Sequence, residues 1–337
     1  MVTQVARQGT AFHGLRPLDP ARDLGQLAQL IEESFGDDLG GEGRAALQDL
    51  RLLSRLGPLV FLLERISPEL RDYLSGFVWI EDGQVVGNVT VTRVGGLARR
   101  WAISNVAVSR AYRRRGIARH LMEAAIEQAR LAGGEEVLLR VRIDNDAARQ
   151  LYESLGFRQV TATTEMELPA VRAVKPVAVS GFTLRRRRHR EWRQTMELAH
   201  QAIPASLQRL QPVRSSNYRL DPDQRLGRWL GHLFAGRSEH RLVVSQDQRF
   251  LATMDVIVSR WRDSHRLKLM IHPDYRGLLD EMLISTGLHL CSRVPGRKVR
   301  TKLPLEYEET IATLRRYGFV ERRTLALMRL ELKNPGR

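Results

Sequence analysis

The chain has 337 residues, a length that suggests two domains at roughly 150 residues each. Its formal net charge is +16, carried almost entirely by arginine, and its single cysteine, Cys291, excludes an intrachain disulfide and any multi-cysteine metal site. The longest uncharged apolar run, residues 56–63, is too short to cross a bilayer, and the first residues lack the apolar core of a signal peptide, so we expect a cytoplasmic protein without a membrane contact.

The predicted elements of the first half alternate between strands and helices. Residues 12–16 form a short strand, and leucines three to four residues apart predict a helix over residues 24–35. Strands 77–80 and 85–91 flank an Asp82-Gly83 hairpin turn. The remaining predictions are strand 101–108, helix 117–132, strand 137–141, helix 146–155 and a strand pair over 160–168. This alternation predicts an α/β (α+β) fold with a central mixed sheet.

The second half repeats the pattern of the first. Gly156-Phe157 ends a helix in the first half, and Gly318-Phe319 does so in the second, at an offset that suits duplicated domains rather than a solenoid. Between the copies, Pro169, Pro176 and Gly181 interrupt a stretch of small residues. We therefore predict domains over residues 10–168 and 182–333, joined by a linker over 169–181.

A strand-turn-helix segment in the first copy is suited to binding phosphate. The strand 101–108 is followed by a turn, and Gly116 marks the start of the next helix. Such a turn offers unpaired backbone N–H groups and the positive end of a helix dipole. Small residues at Gly116 and Ala118 let a pyrophosphate approach the main chain, and nearby guanidinium groups add charge: Arg113, Arg114, Arg115 and Arg119. A basic, solvated helix start is the alternative interpretation.

A second motif follows on the next predicted helix. Asp144 or Asn145 can cap that helix, and Tyr152 lies on the face that must turn inward. Taken alone, a tyrosine there is explained better by core packing than by a functional role. The order of the two motifs along the chain is what suggests a shared function.

Together the motifs resemble the GNAT superfamily of acetyl-CoA-dependent N-acetyltransferases over roughly residues 12–168. The family's phosphate motif, Arg/Gln-x-x-Gly-x-Gly/Ala, reads Arg113-x-x-Gly116-x-Ala118 here. Its later motif is matched by Asn145, Ala148, Leu151, Tyr152, Gly156 and Phe157. The resemblance implies two GNAT-like domains, each with a central mixed, mostly antiparallel sheet flanked by helices.

The resemblance also implies a role for each matched residue. Acetyl-CoA would be the acyl donor, with no metal, and Tyr152 would protonate the departing thiolate as general acid. The N–H of Val106 would polarise the thioester carbonyl. The implied donor-binding residues are Val106, Ala107, Val108, Arg113, Arg114, Arg115, Gly116, Ile117, Ala118, Arg119 and Asn145.

A general base is missing from the expected positions. Attack needs a neutral amine, and at pH 7 about one lysine in 2,500 is neutral, against about one α-amine in six to ten. The strand 101–108 holds no carboxylate, and Arg140 stands where ribosomal-protein and protein-N-terminal acetylating relatives place a glutamate. Water-relayed deprotonation by Glu33, Asp37 or Asp38 remains open. The acceptor could be an amine on a small molecule, a peptide or a protein.

The second copy has lost these features. Matching Ile271 to Val108 and Gly277 to Gly116 places Asp280 at the position of Arg119. Leu279, Tyr307 and Leu314 stand at the positions of Ala118, Asn145 and Tyr152. Two carboxylates at a helix start, Asp280 and Glu281, repel a pyrophosphate. We therefore expect a degenerate, non-catalytic domain.

Two rival functions remain at this point. The missing carboxylate is compatible with a sensor or scaffold that binds acyl-CoA without turning it over. The arginine surface is compatible with a ribosome- or RNA-associated acetyltransferase. The run Arg185–Arg188 lacks interleaved aromatic residues, so we interpret it as a solvated face, and the histidines as ordinary core or surface residues rather than metal ligands.

Overall fold

The computed structural model describes residues 12–36, 47–48, 50–52, 54, 75–94, 99–210, 212–219, 236–247, 249–261 and 264–332. Its strands are β1 (Gly14–Pro17), β2 (Gly76–Glu81), β3 (Gln84–Arg93), β4 (Arg100–Val108), β5 (Glu136–Arg142), β6 (Arg158–Leu168), β7 (Leu184–Arg186), β8 (Arg237–Gln246), β9 (Arg249–Ser259), β10 (Ser264–Ile271), β11 (Lys298–Pro304) and β12 (Val320–Glu331). Its α-helices include α1 (Pro20–Phe35), α2 (Ile117–Leu131), α3 (Asp146–Ser154), α4 (Trp192–Ala202), α5 (Ala205–Leu210), α6 (Asp280–Cys291) and α7 (Glu308–Arg316).

The chain divides into two compact units. Unit 1 is drawn from Met1–Val141, Asp146–Arg158 and Met328–Arg337, and unit 2 from Arg142–Asn145 and Gln159–Leu327. Within the described residues, no helix is long and apolar enough to cross a membrane.

Unit 1 is a mixed sheet with the strand order β1-β2-β3-β4-β5, and the end of β12 lies next to β5. The pairs from β1 to β4 are antiparallel, and β4 and β5 are parallel. The predicted hairpin turn is confirmed, since Asp82 and Gly83 have φ of 49° and 75°, as a two-residue type I′ turn requires.

Helices cover both faces of this sheet, which explains why β3 is buried along almost its whole length. Leu30 of α1 packs against Val78 and Ile80 on one face. On the other face α2 approaches so closely that a Cβ at Gly87 would lie 2.9 Å from Ile117 Cγ2. Glycine at position 87 is therefore needed for the close packing of α2 on the sheet.

Unit 2 has the same alternation of strands and helices. Its strand order is β12-β6-β11-β10-β9-β8-β7, with β10 and β11 parallel and the pairs β9–β10, β8–β9, β7–β8 and β6–β11 antiparallel. Its main core is formed by α6 and the strands beneath it, including Leu267, Leu283 and Leu288. The predicted fold class, α/β with mixed, mostly antiparallel sheets and flanking helices, is confirmed.

The final strand of each sequence repeat is grouped with the other repeat's unit. Residues Thr163–Leu168 of β6 pair with β11 in unit 2. In unit 1, the N–H of Leu332, just after β12, donates to the carbonyl oxygen of Glu135 at 2.8 Å. The predicted strand pair over 160–168 is wrong, because β6 is one strand and no glycine or proline interrupts it. The boundaries 10–168, 169–181 and 182–333 stay a prediction.

Candidate active site

Strand β4 carries a bulge at the place where the sequence predicts a carbonyl-polarising N–H. The β3–β4 register shifts between Asn88 and Thr90, and Asn105 takes a left-handed φ of 51°. Buried Asn88 donates through Nδ2 to the carbonyl oxygen of Asn105 at 3.0 Å. Asn105 donates in turn to Thr90 Oγ1 at 3.2 Å. These side chains fix the bulge and so orient the main chain at Val106, the next residue.

Beyond the bulge, β4 separates from β5. The parallel ladder between them runs only from Arg100↔Glu136 to Ile103↔Leu139. The main chain of Val106 and Val108 is therefore not paired with β5, and both residues are half-buried, whereas Ala107 points into the core. A gap between two parallel strands leaves backbone N–H and C=O groups free to bind an extended polar ligand.

The turn after β4 leads directly to the start of α2. A short 3-10 turn over Arg110–Tyr112 comes first, and Gly116 caps α2 with a φ of 80° and without a side-chain hydrogen bond. Among the residues that the structure describes, none accepts a hydrogen bond from the backbone N–H groups of residues 113–118. Unpaired N–H groups at a helix N-terminus bind anions well, so this turn fits a pyrophosphate.

The predicted arginines surround this turn, and three of them are held in place. Arg113 Nε donates to the carbonyl oxygen of Val108 at 3.0 Å, and the guanidinium of Arg115 lies 5.0 Å from the centre of the Tyr112 ring. Arg119 donates to Ser154 Oγ at 2.7 Å, which joins α2 to α3. Arg114 is exposed, and no partner for its side chain is found in the described ranges. The surroundings of the turn are thus strongly positive.

Tyr152 lies on α3 and is only 6% exposed, next to Phe157 with 6.1 Å between ring centres. Burial raises the pKa of its hydroxyl to about 12, so the group stays protonated at physiological pH. Within the described residues the hydroxyl has no hydrogen-bond partner. Its proton is therefore available to a ligand.

The proposed bases are placed differently from one another. Glu33 on α1 accepts hydrogen bonds from the N–H of Arg110 at 2.9 Å and from Ser109 Oγ at 3.3 Å, so it anchors the turn. Arg140 on β5 is exposed. Asp37 and Asp38 lie outside the described residues.

Asn145 belongs to the short segment Arg142–Asn145 of unit 2, and its N–H donates to the carbonyl oxygen of Arg142 at 3.1 Å.

The matching turn in unit 2 is closed by its own side chains. The side chain of Asp280, which is fully buried, accepts a hydrogen bond from the N–H of Gly277. Arg276 donates to the carbonyl oxygen of Ala202 at 2.9 Å, and its guanidinium lies 3.8 Å from the ring centre of Tyr307. A carboxylate of the protein already occupies an N–H group that a phosphate oxygen would need.

Sequence reasoning missed several structural roles. It did not anticipate the part of Asn88 and Asn105 in the bulge, although asparagine tolerates a positive φ and was a usable signal. It was also wrong about Arg185–Arg188 as a uniformly solvated run. Arg187 is only 12% exposed at its side chain and pairs with Asp255 at 2.6 Å, while Arg185 pairs with Glu191 at 3.0 Å. Cys291 is buried, and burial raises the pKa of its thiol to about 12.

Histidine, cysteine and carboxylate side chains are the usual ligands of protein metal sites. Where the structure describes the chain, no three of them are placed to hold a metal ion. His265 instead accepts a hydrogen bond from the N–H of Ser259 at 3.0 Å and lies in the core.

Comparisons with known proteins agree on one family. The acetyltransferase (GNAT) family model matches residues 46–157. An N-alpha-acetyltransferase of Saccharolobus solfataricus is 34% identical over 114 residues, which cover 31% of this chain and 66% of that protein, just under two thirds of its length.

Two solved structures are similar over most of the chain. A GCN5-related N-acetyltransferase from Sphaerobacter thermophilus has a TM-score of 0.62 at 16% identity, covering 94% of this chain and 95% of that one. A tandem GNAT protein from the clavulanic acid biosynthesis pathway has a TM-score of 0.57 at 19% identity, covering 94% and 98%. At these identities the likeness concerns the fold.

Proposed function

Because the chain belongs to the GNAT superfamily of acetyltransferases, we propose that it transfers an acetyl group from acetyl-CoA to a primary amine, and that unit 1 carries the reaction. The observation that carries this proposal is the turn at residues 113–118, whose N–H groups lack acceptors in the described part of the chain. The same unit contains the bulged β4 and the buried Tyr152.

The donor is held by charge and by main chain. Acetyl-CoA supplies an activated acetyl group and a pyrophosphate with negative charges. The pyrophosphate is bound by the backbone and arginines of the turn: Arg113, Arg114, Arg115, Gly116, Ile117, Ala118 and Arg119. The main chain of Val106, Ala107 and Val108 hydrogen-bonds the pantetheine arm. Gly116 fits this role because glycine adopts its positive φ at little cost and adds no side chain to the turn.

Two groups of unit 1 act on the reacting atoms. The N–H of Val106, oriented by the bulge, donates to the thioester oxygen as negative charge develops on it. Tyr152 donates to the departing sulfur. Since the pKa of Tyr152 is about 12 and that of a thiol is about 8.5, free proton transfer to the thiolate is unfavourable. We therefore propose that Tyr152 acts mainly through a hydrogen bond that strengthens as the carbon–sulfur bond breaks, while the proton lost by the acylated nitrogen passes to the departing thiolate.

The acceptor is an amine that needs little help from a base. β4 contains no carboxylate, and Glu33 is engaged with Ser109 and Arg110. An α-amine is neutral far more often at pH 7 than a lysine side chain, so it suits this site better. The name of the Saccharolobus relative, an N-alpha-acetyltransferase, supports the same choice.

The test is an acetyl-transfer assay on the full chain. Peptides with a free α-amine and no lysine are compared with Nα-blocked peptides that contain one lysine, and thiol release from acetyl-CoA is followed. We expect transfer to the α-amine peptides to be at least about 10-fold faster. Faster lysine acetylation would contradict the α-amine assignment. Tight binding of acetyl-CoA with no transfer to any amine would contradict the proposed enzymatic function and would indicate a sensor or scaffold.

A further inference from the structure

Unit 2 contains a cavity that the proposed acetyl transfer does not use. Its volume is about 270 Å³, and its walls come from the segment before α4, from α4 itself, from the 3-10 turn Ser215–Asn217 with Tyr218, and from β8, β9 and β10. None of its lining residues belongs to the turn between β10 and α6, which Asp280 closes. The cavity is therefore separate from the position that matches the unit 1 turn.

A buried ion pair gives this cavity a fixed polar wall. Arg187 Nη2 donates to Asp255 Oδ1 at 2.6 Å, and the two side chains are only 12% and 24% exposed. Beside them Arg241 donates to Glu239 Oε1 at 3.1 Å. Buried charged groups are costly to keep unless they are paired, so both pairs are set in the folded protein before any ligand arrives.

Positive charge exceeds negative charge around the cavity. Four cationic side chains line it, Arg187, Arg188, Arg241 and Lys268, against the single carboxylate of Asp255. The side chains of Arg188 and Lys268 are exposed, and each lies within electrostatic range of a carboxylate, Arg188 of Glu191 and Lys268 of Asp255. When Asp255, Glu239 and Glu191 are counted against these four cations, one net positive charge is left around the cavity to attract an anion.

The rest of the lining is suited to an apolar group. Trp192, Tyr218 and Met270 contribute aromatic and thioether surface. Aromatic rings bind planar apolar groups, and a few charged groups then fix their orientation. A volume of about 270 Å³ is just below the range typical of drug-sized ligands, so the occupant is a small metabolite.

We propose that this cavity binds a small organic anion, with its acidic group held by Arg188 and Lys268 and its apolar part against Trp192. The proposal does not depend on the activity of unit 1. It assigns unit 2 a ligand of its own, different from coenzyme A.

The test uses isothermal titration of the full chain with phenyl phosphate. The chain carries Gly116→Glu, so that the unit 1 turn contributes no phosphate binding. Lys268→Met should weaken phenyl phosphate binding about 10-fold or more, the loss expected for one charge-assisted hydrogen bond. Lys175→Met is the matched control, because Lys175 is an exposed lysine of unit 2 that does not line the cavity. It should leave the Kd within about 2-fold.

Two further probes test whether the ligand must be anionic and whether its apolar part contributes to binding. Inorganic phosphate should bind more weakly than phenyl phosphate, and phenethylamine should not bind. Equal Kd values for Lys268→Met and Lys175→Met would overturn the proposal, as would binding of phenethylamine in preference to phenyl phosphate. No detectable binding of phenyl phosphate at millimolar concentration would overturn it as well. Thermal melts of each variant establish that the chain is folded.

Discussion

The turn before α2 in unit 1 and the turn before α6 in unit 2 begin alike and end differently. Each starts with a 3-10 turn and reaches a glycine with a left-handed φ, 80° at Gly116 and 81° at Gly277. In unit 1 the helix starts at the next residue, Ile117, whereas in unit 2 two residues intervene before Asp280. That shift places a carboxylate where it accepts a hydrogen bond from the N–H of Gly277.

The difference shows that the glycine alone does not make an anion site. A turn with this backbone conformation can bind an anionic ligand when its N–H groups lack an acceptor within the protein. It stabilises the fold instead when a side chain accepts hydrogen bonds from those N–H groups. The arginines reinforce this contrast. Arg113 and Arg119 hold the unit 1 turn and leave positive charge around it, while Arg276 of unit 2 is turned toward backbone carbonyls and Tyr307.

The largest expected effect comes from placing a carboxylate in the unit 1 turn. Gly116→Glu should weaken coenzyme A binding about 100-fold or more, because it sets a negative charge against the pyrophosphate and strains a left-handed residue. Isothermal titration measures the Kd. Gly277→Glu, with the same backbone conformation, is the matched control and should leave the Kd unchanged. If both substitutions weaken binding equally, the two turns do not differ in the way described.

Loss of the Tyr152 hydroxyl should have the next largest effect. Tyr152→Phe keeps the buried ring but removes the donor, and we expect kcat to fall about 10- to 100-fold, the lower part of the range for acid–base groups, with coenzyme A affinity nearly unchanged. Because the pKa of Tyr152 is about 12, the pH profile of kcat should show no falling limb below pH 9. A falling limb in the wild type that disappears in Tyr152→Phe would contradict the raised pKa.

The smallest effect concerns the pH dependence of unit 2. Burial raises the pKa of Asp280 although the N–H of Gly277 donates to it. The folded state therefore binds the proton more tightly than the unfolded state, and this group lowers stability as pH rises from the usual aspartate range through the raised pKa. Asp280→Asn cannot ionise, so thermal melts at increasing pH above about 4 should show a less unfavourable change of Tm in the variant than in the wild type. A steeper decline in the variant would mean that the carboxylate form is the stabilising one.

Local sequence patterns predicted most elements, including the turn between β4 and α2. The periodicity of apolar residues and the Asp82-Gly83 turn are short-range signals, so they can be recognised without knowledge of tertiary contacts. The start of α1 was placed at residue 24 instead of Pro20, because the first turn is defined by the Asp19 cap and by Pro20 rather than by apolar spacing. The bulge was missed because it depends on buried Asn88, 17 residues away from Asn105.

Long-range partners could not be read from the sequence. Arg187 belongs to an arginine run that looks solvated, and only the fold brings Asp255 to it, 68 residues later. The strand β6 has the same alternation whichever neighbour it pairs with, so its pairing with β11 was beyond prediction. The predicted roles of Tyr152, Val106 and Asn145 rest on the family resemblance and stay predictions.

The grouping of β6 with unit 2 and of the end of β12 with unit 1 bears on how this gene can be divided. A stop codon after the first repeat would deprive β5 of its neighbour and leave its hydrogen-bonding edge bare. The shortened protein would be prone to aggregate through its exposed strand edge. Each unit therefore needs residues from both repeats to complete its sheet.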